Sequence, residues 1–394
     1  MDRTEPKHDL NMSDGHELVL ALSRPIDKLS ATAVNGAMQA VGNWDRFFAW
    51  SLAFDVEPVV MTNLREHFAT LVPALVLARA AAREQASRSW AVSQALRVVH
   101  VANTLKARGI DAIVLKGPAL GLSAYGDASM RTFADADLMV RRSDLEAARD
   151  VLISDGFAPD YQRSRELRLA RAQHALEFSK SGLKVELHWS LVSRYLRFDI
   201  PVETLWGTAQ TQVIGGSEIK VLARAPLFLY LCAHGAKHQW ERVRWICDVA
   251  QLAARLTPAD ADDVMHLARQ GHSVRLVALG LRVAQEVVGH VDTPLLGYGE
   301  LHDPATAGLV HSIRGRLGLD PQASQRNSVR HIHPVLSPVI FWMRSRERAY
   351  DRAATLLHLL LVPTTEASGI GGWVQRPFRL LGRAFYRALR LLRS

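Results

Sequence analysis

Cysteine is nearly absent: Cys232 and Cys247 are the only two in 394 residues. That count argues against a disulfide scaffold or a cysteine-rich zinc site and fits a reducing cytoplasm. Long apolar runs are also missing. No stretch reaches the roughly 18 residues that a membrane-spanning helix needs. The opening MDRTEPKHDL is polar and mixed in charge, which does not fit a secretory signal. The sequence shows neither an internal repeat nor a low-complexity segment. The expectation is a cytoplasmic globular protein, in keeping with 48% hydrophobic and 22% charged residues.

Positive charge is in excess but unevenly placed. The formal charge is +9, and six arginines without any acid fall in the last nineteen residues. Setting those six aside leaves about +3, so the body is not a general polyanion binder and nucleic acid is not the expected partner. In the tail, Arg376, Arg379, Arg383, Arg387, Arg390 and Arg393 share an arc of about 120° on a helix, opposite Phe and Leu residues. Pro377 suits the first turn. Such a helix can lie on an anionic membrane as a peripheral contact, or pack on the protein itself.

Along the chain, residues 1–15 read as disordered and 16–108 as an N-terminal helical region closed by Gly109. Residues 109–200 change period. Ile110–Leu115 is a buried strand, broken at Lys116-Gly117-Pro118 before a short helix over Ala119–Tyr125. Asp135–Val140 is a second strand. Ser143 and Glu146 read as a capping box for the next helix, which Gly156 closes. His174–Ser179 and Lys184–Trp189 read as a hairpin around Ser181-Gly182. Residues 201–300 read as helical, with strong segments at Leu227–Leu256 and Ser273–Val288. Residues 301–375 read as helix and loop, and 376–394 as the tail helix. The fold class is α+β: a mixed-sheet core between N-terminal and C-terminal helical regions.

The chemistry centres on Asp135–Val140. On a strand, Asp135 and Asp137 point to one side, with Ala136, Leu138 and Val140 on the other. Two carboxylates so close repel unless a cation sits between them. Glu186 and His188 share a face of the later strand, so Glu186 can complete a triad if that strand is a neighbour. Three carboxylates suit Mg²⁺ or Mn²⁺, which share their shell with substrate phosphates. Lys116-Gly117 opens a helix after a buried strand, where backbone N–H groups approach a phosphate. Lys116 and Arg131 would neutralise a triphosphate. The plainer alternative for Asp135 and Asp137 is a solvated, charged edge strand.

His234 and His238 lie four apart on one helical face, a spacing that can hold zinc. The glutamate of a helical zinc-protease motif is missing, so packed or interface histidines are expected.

Together these blocks resemble the nucleotidyltransferase superfamily of the DNA polymerase β type. The nearer resemblance is to its branch of uncharacterised bacterial nucleotidyltransferase-like proteins. It is carried by Leu115–Gly117, Tyr125–Val140, Val185–Trp189 and Leu231–Leu252, and spans about residues 40–290. Where many superfamily members have Gly-Ser in the loop, this chain has Lys-Gly, and Ala136 stands where a bulkier apolar residue is usual. The resemblance implies a nucleotidyltransferase-type core. It implies metal binding and catalysis by Asp135, Asp137 and Glu186, and nucleotide contacts from Lys116, Gly117 and Arg131. It also implies a substrate cleft near His188, His234, His238 and Arg244. The reaction implied is transfer of a nucleoside monophosphate from an NTP to a hydroxyl of a small molecule, sugar or peptide. A binding or regulatory module that keeps the fold without turnover is the alternative, followed by a nucleic-acid-modifying enzyme.

Overall fold

The computed structural model describes residues 15–25, 28–160, 174–193, 196, 198–319 and 336–361. The first fourteen residues, expected to be disordered, and the basic tail, expected to form an amphipathic helix, lie outside the described residues. No helix among the described residues is long and apolar enough to cross a membrane.

The N-terminal region is helical, as the sequence predicts. Helices α1 (His16–Leu22), α2 (Lys28–Gln39), α3 (Trp44–Ala53) and α4 (Glu57–His67) precede the 33-residue α5 (Ala74–Lys106). Asn43 caps α3 by accepting from the Asp45 and Arg46 amides. Alanine-rich composition favours so long a helix, and Gly109, at φ +74°, follows its end.

Seven strands then build one mixed sheet: β1 (Ala112–Val114), β2 (Asp135–Val140), β3 (Ala158–Pro159), β4 (Ala175–Lys180), β5 (Leu183–His188), β6 (Gln210–Ile214) and β7 (Ser217–Val221). Their order is β3-β4-β5-β2-β1-β7-β6. The turn between β4 and β5 is Ser181-Gly182, both left-handed, which is the backbone a two-residue hairpin turn demands. Strands β2 and β5 run parallel, with Asp137 opposite Glu186.

Two details differ from the sequence reading. A 3₁₀ turn over Arg142–Asp144 precedes α7 (Leu145–Ser154), whose N-cap Asp144 makes no side-chain cap bond. Ser143 donates instead to the Asp144 carboxylate at 3.0 Å. The capping box is absent because the helix begins later than the motif requires. The second difference is the β6–β7 hairpin, inside a stretch read as helical. Its outer strand is largely exposed and polar, so it lacks an apolar alternation; Gly215-Gly216, both at positive φ, was its signal. The short helix after β1 is α6 (Pro118–Leu120), which runs into a π turn over Gly121–Tyr125.

The two faces of the sheet serve separate cores. Ala136, Leu138 and Val140 of β2 join Val185 and Leu187 of β5, packed with Val98, Leu105 and Leu152 of α5 and α7. On the opposite face Met139 and Ile113 join a larger core of the N-terminal and C-terminal helices. That core includes Leu205 of α8 (Val202–Gly207) and the helices α9 (Arg224–Lys237), α10 (Val243–Ala253), α11 (Pro258–Gln270) and α12 (Val274–Val288). The segment read as continuous over Leu227–Leu256 is thus two helices. The acidic side chains of β2 point toward α9 and α10, at the boundary between sheet and helices.

Candidate active site

Alternation along β2 sends Asp135 and Asp137 to the α9–α10 side, and parallel register brings Glu186 beside Asp137. Glu177 of β4 stands opposite Glu186 in the next pair. The ligand atoms of Asp137, Glu186 and His188 lie within 4.8 Å of one another. Asp135 sits one step along the same face, opposite Lys184, and lines the same cavity without belonging to that closest set. This cavity, of about 490 Å³, also meets Lys116, Arg131, His234, His238 and Arg244. The side chains expected at the metal, phosphates and cleft therefore converge, while Gly117 is just behind Lys116 at the turn out of β1.

Asp137 is 3% exposed and densely contacted. One of its oxygens lies 3.3 Å from Lys116 Nζ and 3.1 Å from His188 Nε2. Burial opposes its charge, but the ammonium and the imidazole overcome that penalty and hold the carboxyl well below the usual range. Burial likewise opposes the charged forms of Lys116 and His188. Asp137 outweighs it for Lys116, and Asp137 with Glu186 outweighs it for His188, so both bases are strengthened. His188 Nε2 also lies 3.5 Å from Glu186. Sequence reasoning assigns His188 only to the cleft; here its ring bridges the two carboxylates.

Gly117 has φ +61° and ψ −126°, a conformation that glycine adopts without penalty and other residues rarely adopt. The chain can thereby leave β1 sharply and start α6 with Pro118 in its first turn. Arg131 is buried and engaged elsewhere: its Nε is 2.9 Å from Asp248 of α10, which also accepts from the Tyr125 hydroxyl at 2.9 Å. Both cations expected at the triphosphate are thus already matched to carboxylates. Arg244 pairs with Asp55 and donates to the Thr132 carbonyl at 3.1 Å, which ties α10 to the segment before β2.

The α9–α10 corner shapes the far wall. Gln239 and Trp240 both have left-handed backbone, a strained state for non-glycine residues. Trp240 is fully buried, and its ring packs so tightly on Gly235 that an added Cβ would sit 2.6 Å from it. This lock sets the direction of Lys237, His238 and Arg242. His234 and His238 have ring centroids 4.8 Å apart and lie 4.9 and 5.2 Å from Trp245. Burial, then nearby cations, keeps both imidazoles neutral, His238 down to about 4. They form an aromatic wall, and the zinc alternative finds no support among the described residues, where the one metal-type set lies on β2 and β5.

Sequence reasoning missed Tyr230, Lys237 and Glu177 in the lining. The first two had a signal. Tyr230, His234, Lys237, His238 and Glu241 follow helical spacing, a polar stripe on an otherwise apolar helix. Glu177 had the same parity on β4 as Ala175 and Ser179, and only the register with β5 gives it meaning.

The family profile described as uncharacterised nucleotidyltransferase matches residues 41–289. Among solved structures, the chain is matched to the crystal structure of an antigenic nucleotidyltransferase-like protein from Paracoccidioides brasiliensis, at 17% identity and a TM-score of 0.30, covering 49% of this chain and 92% of that one. No curated protein matches the chain. The profile spans well over half of the sequence, β1 to β7 and α9 to α12 included, and the chain belongs to the uncharacterised nucleotidyltransferase family.

Proposed function

We propose that the protein transfers a nucleoside monophosphate from an NTP to a hydroxyl of a small molecule, sugar or peptide, with Mg²⁺ or Mn²⁺ as cofactor. The observation that carries this reading is the register of β2 on β5, with Asp137 opposite Glu186 and Asp135 on the same face. Family membership supports the reaction class.

The donor set fits a hard divalent ion. Oxygen ligands from Asp135, Asp137 and Glu186 are what Mg²⁺ and Mn²⁺ prefer, and Asp137 already gathers the Lys116 ammonium and a His188 ring nitrogen at one oxygen. When bound, the ion would supply charge neutralisation for the phosphates and orientation for in-line displacement. The remaining work falls to the chain. His188 orients Asp137 and Glu186 through one ring nitrogen. Lys116 balances Asp137 in the resting site and is positioned to turn toward a phosphate that arrives there. Gly117 opens the backbone where a phosphate would approach. Glu186, less buried than Asp137, either completes the ligand set or takes the proton of the acceptor hydroxyl. Attack by that hydroxyl on the α-phosphorus releases pyrophosphate. Orientation and charge stabilisation account for most of the rate in such displacements.

The test is incubation with each α-labelled NTP, Mg²⁺ and cell extract. A labelled product with release of pyrophosphate is expected for the wild type. Asp137→Asn should abolish it, and an Asp137→Asn variant as active as wild type overturns the assignment.

A further inference from the structure

The cavity is lined by cations of two kinds. Lys116, Arg131 and Arg244 each face a carboxylate partner: Asp137, Asp248 and Asp55. Lys237 and Arg242 line the same cavity and make no ion pair with a carboxylate among the described residues. The Arg242 guanidinium rests 5.7 Å from the centre of the Trp245 ring, a cation–π contact in which no carboxylate takes part.

An unmatched ammonium in a largely buried position is costly. Burial, and then the charge of Lys116, weaken the hold of Lys237 on its proton. The fold keeps it there, fixed by the locked corner at Trp240 and facing the carboxylate face of the sheet. The first turn of α10 begins at the same corner, and its N-cap Arg242 makes no side-chain cap bond. The amides at that end add partial positive charge. One wall of the cavity is therefore acidic and suited to a metal; the other carries Lys237 and Arg242 against a single acid, Glu241.

We propose that Lys237 and Arg242 hold the pyrophosphate portion of the NTP and retain it as the leaving group. This rests on the nucleotidyltransferase reading and specifies which side chains meet the triphosphate. In the step, the acceptor oxygen bonds to the α-phosphorus and the bond from that phosphorus to the α–β bridging oxygen breaks. The electron pair stays on the bridging oxygen, and the acceptor proton passes to Glu186 or solvent. Lys237 and Arg242 offset the charge that develops on the departing oxygens. Lys116 and Arg131, with carboxylates of their own, contribute less.

The experiment is calorimetric titration of the full-length protein with inorganic pyrophosphate in the presence of Mg²⁺. Lys237→Ala should bind roughly 10- to 100-fold more weakly, as loss of one charged hydrogen-bonding partner implies. Lys237→Arg should restore most of the affinity, and binding of nucleoside 5′-monophosphates should be unchanged. Equal pyrophosphate affinity in wild type and Lys237→Ala overturns the assignment, as does a wild type without affinity for pyrophosphate. If Lys237→Ala does not fold, Lys237→Gln and the exposed Arg242→Gln carry the same test with the same expected loss. Weakened pyrophosphate binding in Lys237→Ala, together with undiminished transfer by Asp137→Asn, would leave this site standing and remove the catalytic reading.

Discussion

Two buried cation–carboxylate pairs flank β2, and they are built differently. Arg131 meets Asp248 with three contacts between 2.9 and 3.1 Å, and Tyr125 fills another position on the same carboxylate. Lys116 meets Asp137 at 3.3 Å, and the oxygen is shared with His188. The first pair is saturated and joins α10 to the segment entering β2. The second faces a cavity, is held by a single flexible ammonium, and can exchange partners. A planar guanidinium suits the fixed contact and a lysine the exchangeable one. Proximity of opposite charges alone therefore does not identify a site; the number of unfilled positions around the acid does.

This contrast can be broken most severely on the exchangeable side. Asp137→Asn should reduce transfer by about a thousandfold or more, since it removes charge where the reaction needs it, while the circular dichroism spectrum stays native. On the saturated side, Asp248→Ala should destabilise the fold by about 3–5 kcal/mol in urea unfolding, because Arg131 is left buried without its partner. Replacing both Arg131 and Asp248 by Met and Leu should recover much of that loss. Lys116→Met should cost about 1–2 kcal/mol, less than Asp248→Ala, because His188 still contacts Asp137. An exposed pair supplies the baseline: Glu203→Ala, which removes the partner 3.2 Å from Arg141, should change stability by no more than about 0.5 kcal/mol. If Lys116→Met were as damaging as Asp248→Ala, the distinction between the two pairs would be lost.

The sequence was informative where periodicity and chemistry coincided. β2 was legible because its acids alternate with Ala136, Leu138 and Val140, and that same alternation separates the cavity from the core against α5 and α7. The β4–β5 hairpin was legible from Ser181-Gly182. Convergence of Glu186 on Asp137 was only conditional, since strand neighbours are fixed by long-range packing and not by local pattern. Arg131 shows the reverse problem. Its position beside an acidic strand suggested a phosphate contact, but Asp248, 117 residues later, takes up its guanidinium. The β6–β7 hairpin escaped because an exposed edge strand carries little apolar signal. Lys237 escaped because the polar stripe it shares with Tyr230, His234 and Glu241 reads as a solvent-facing one until the neighbouring sheet is in place.

The most direct measurement is anomalous diffraction from crystals grown with Mn²⁺. A single strong peak bounded by the carboxylate oxygens of Asp135, Asp137 and Glu186, with Lys116 Nζ withdrawn from Asp137, is the result this account predicts. A well-ordered, Mn²⁺-saturated crystal with no peak there, or with Lys116 and His188 still closed on Asp137 and the ion bound elsewhere, would contradict it.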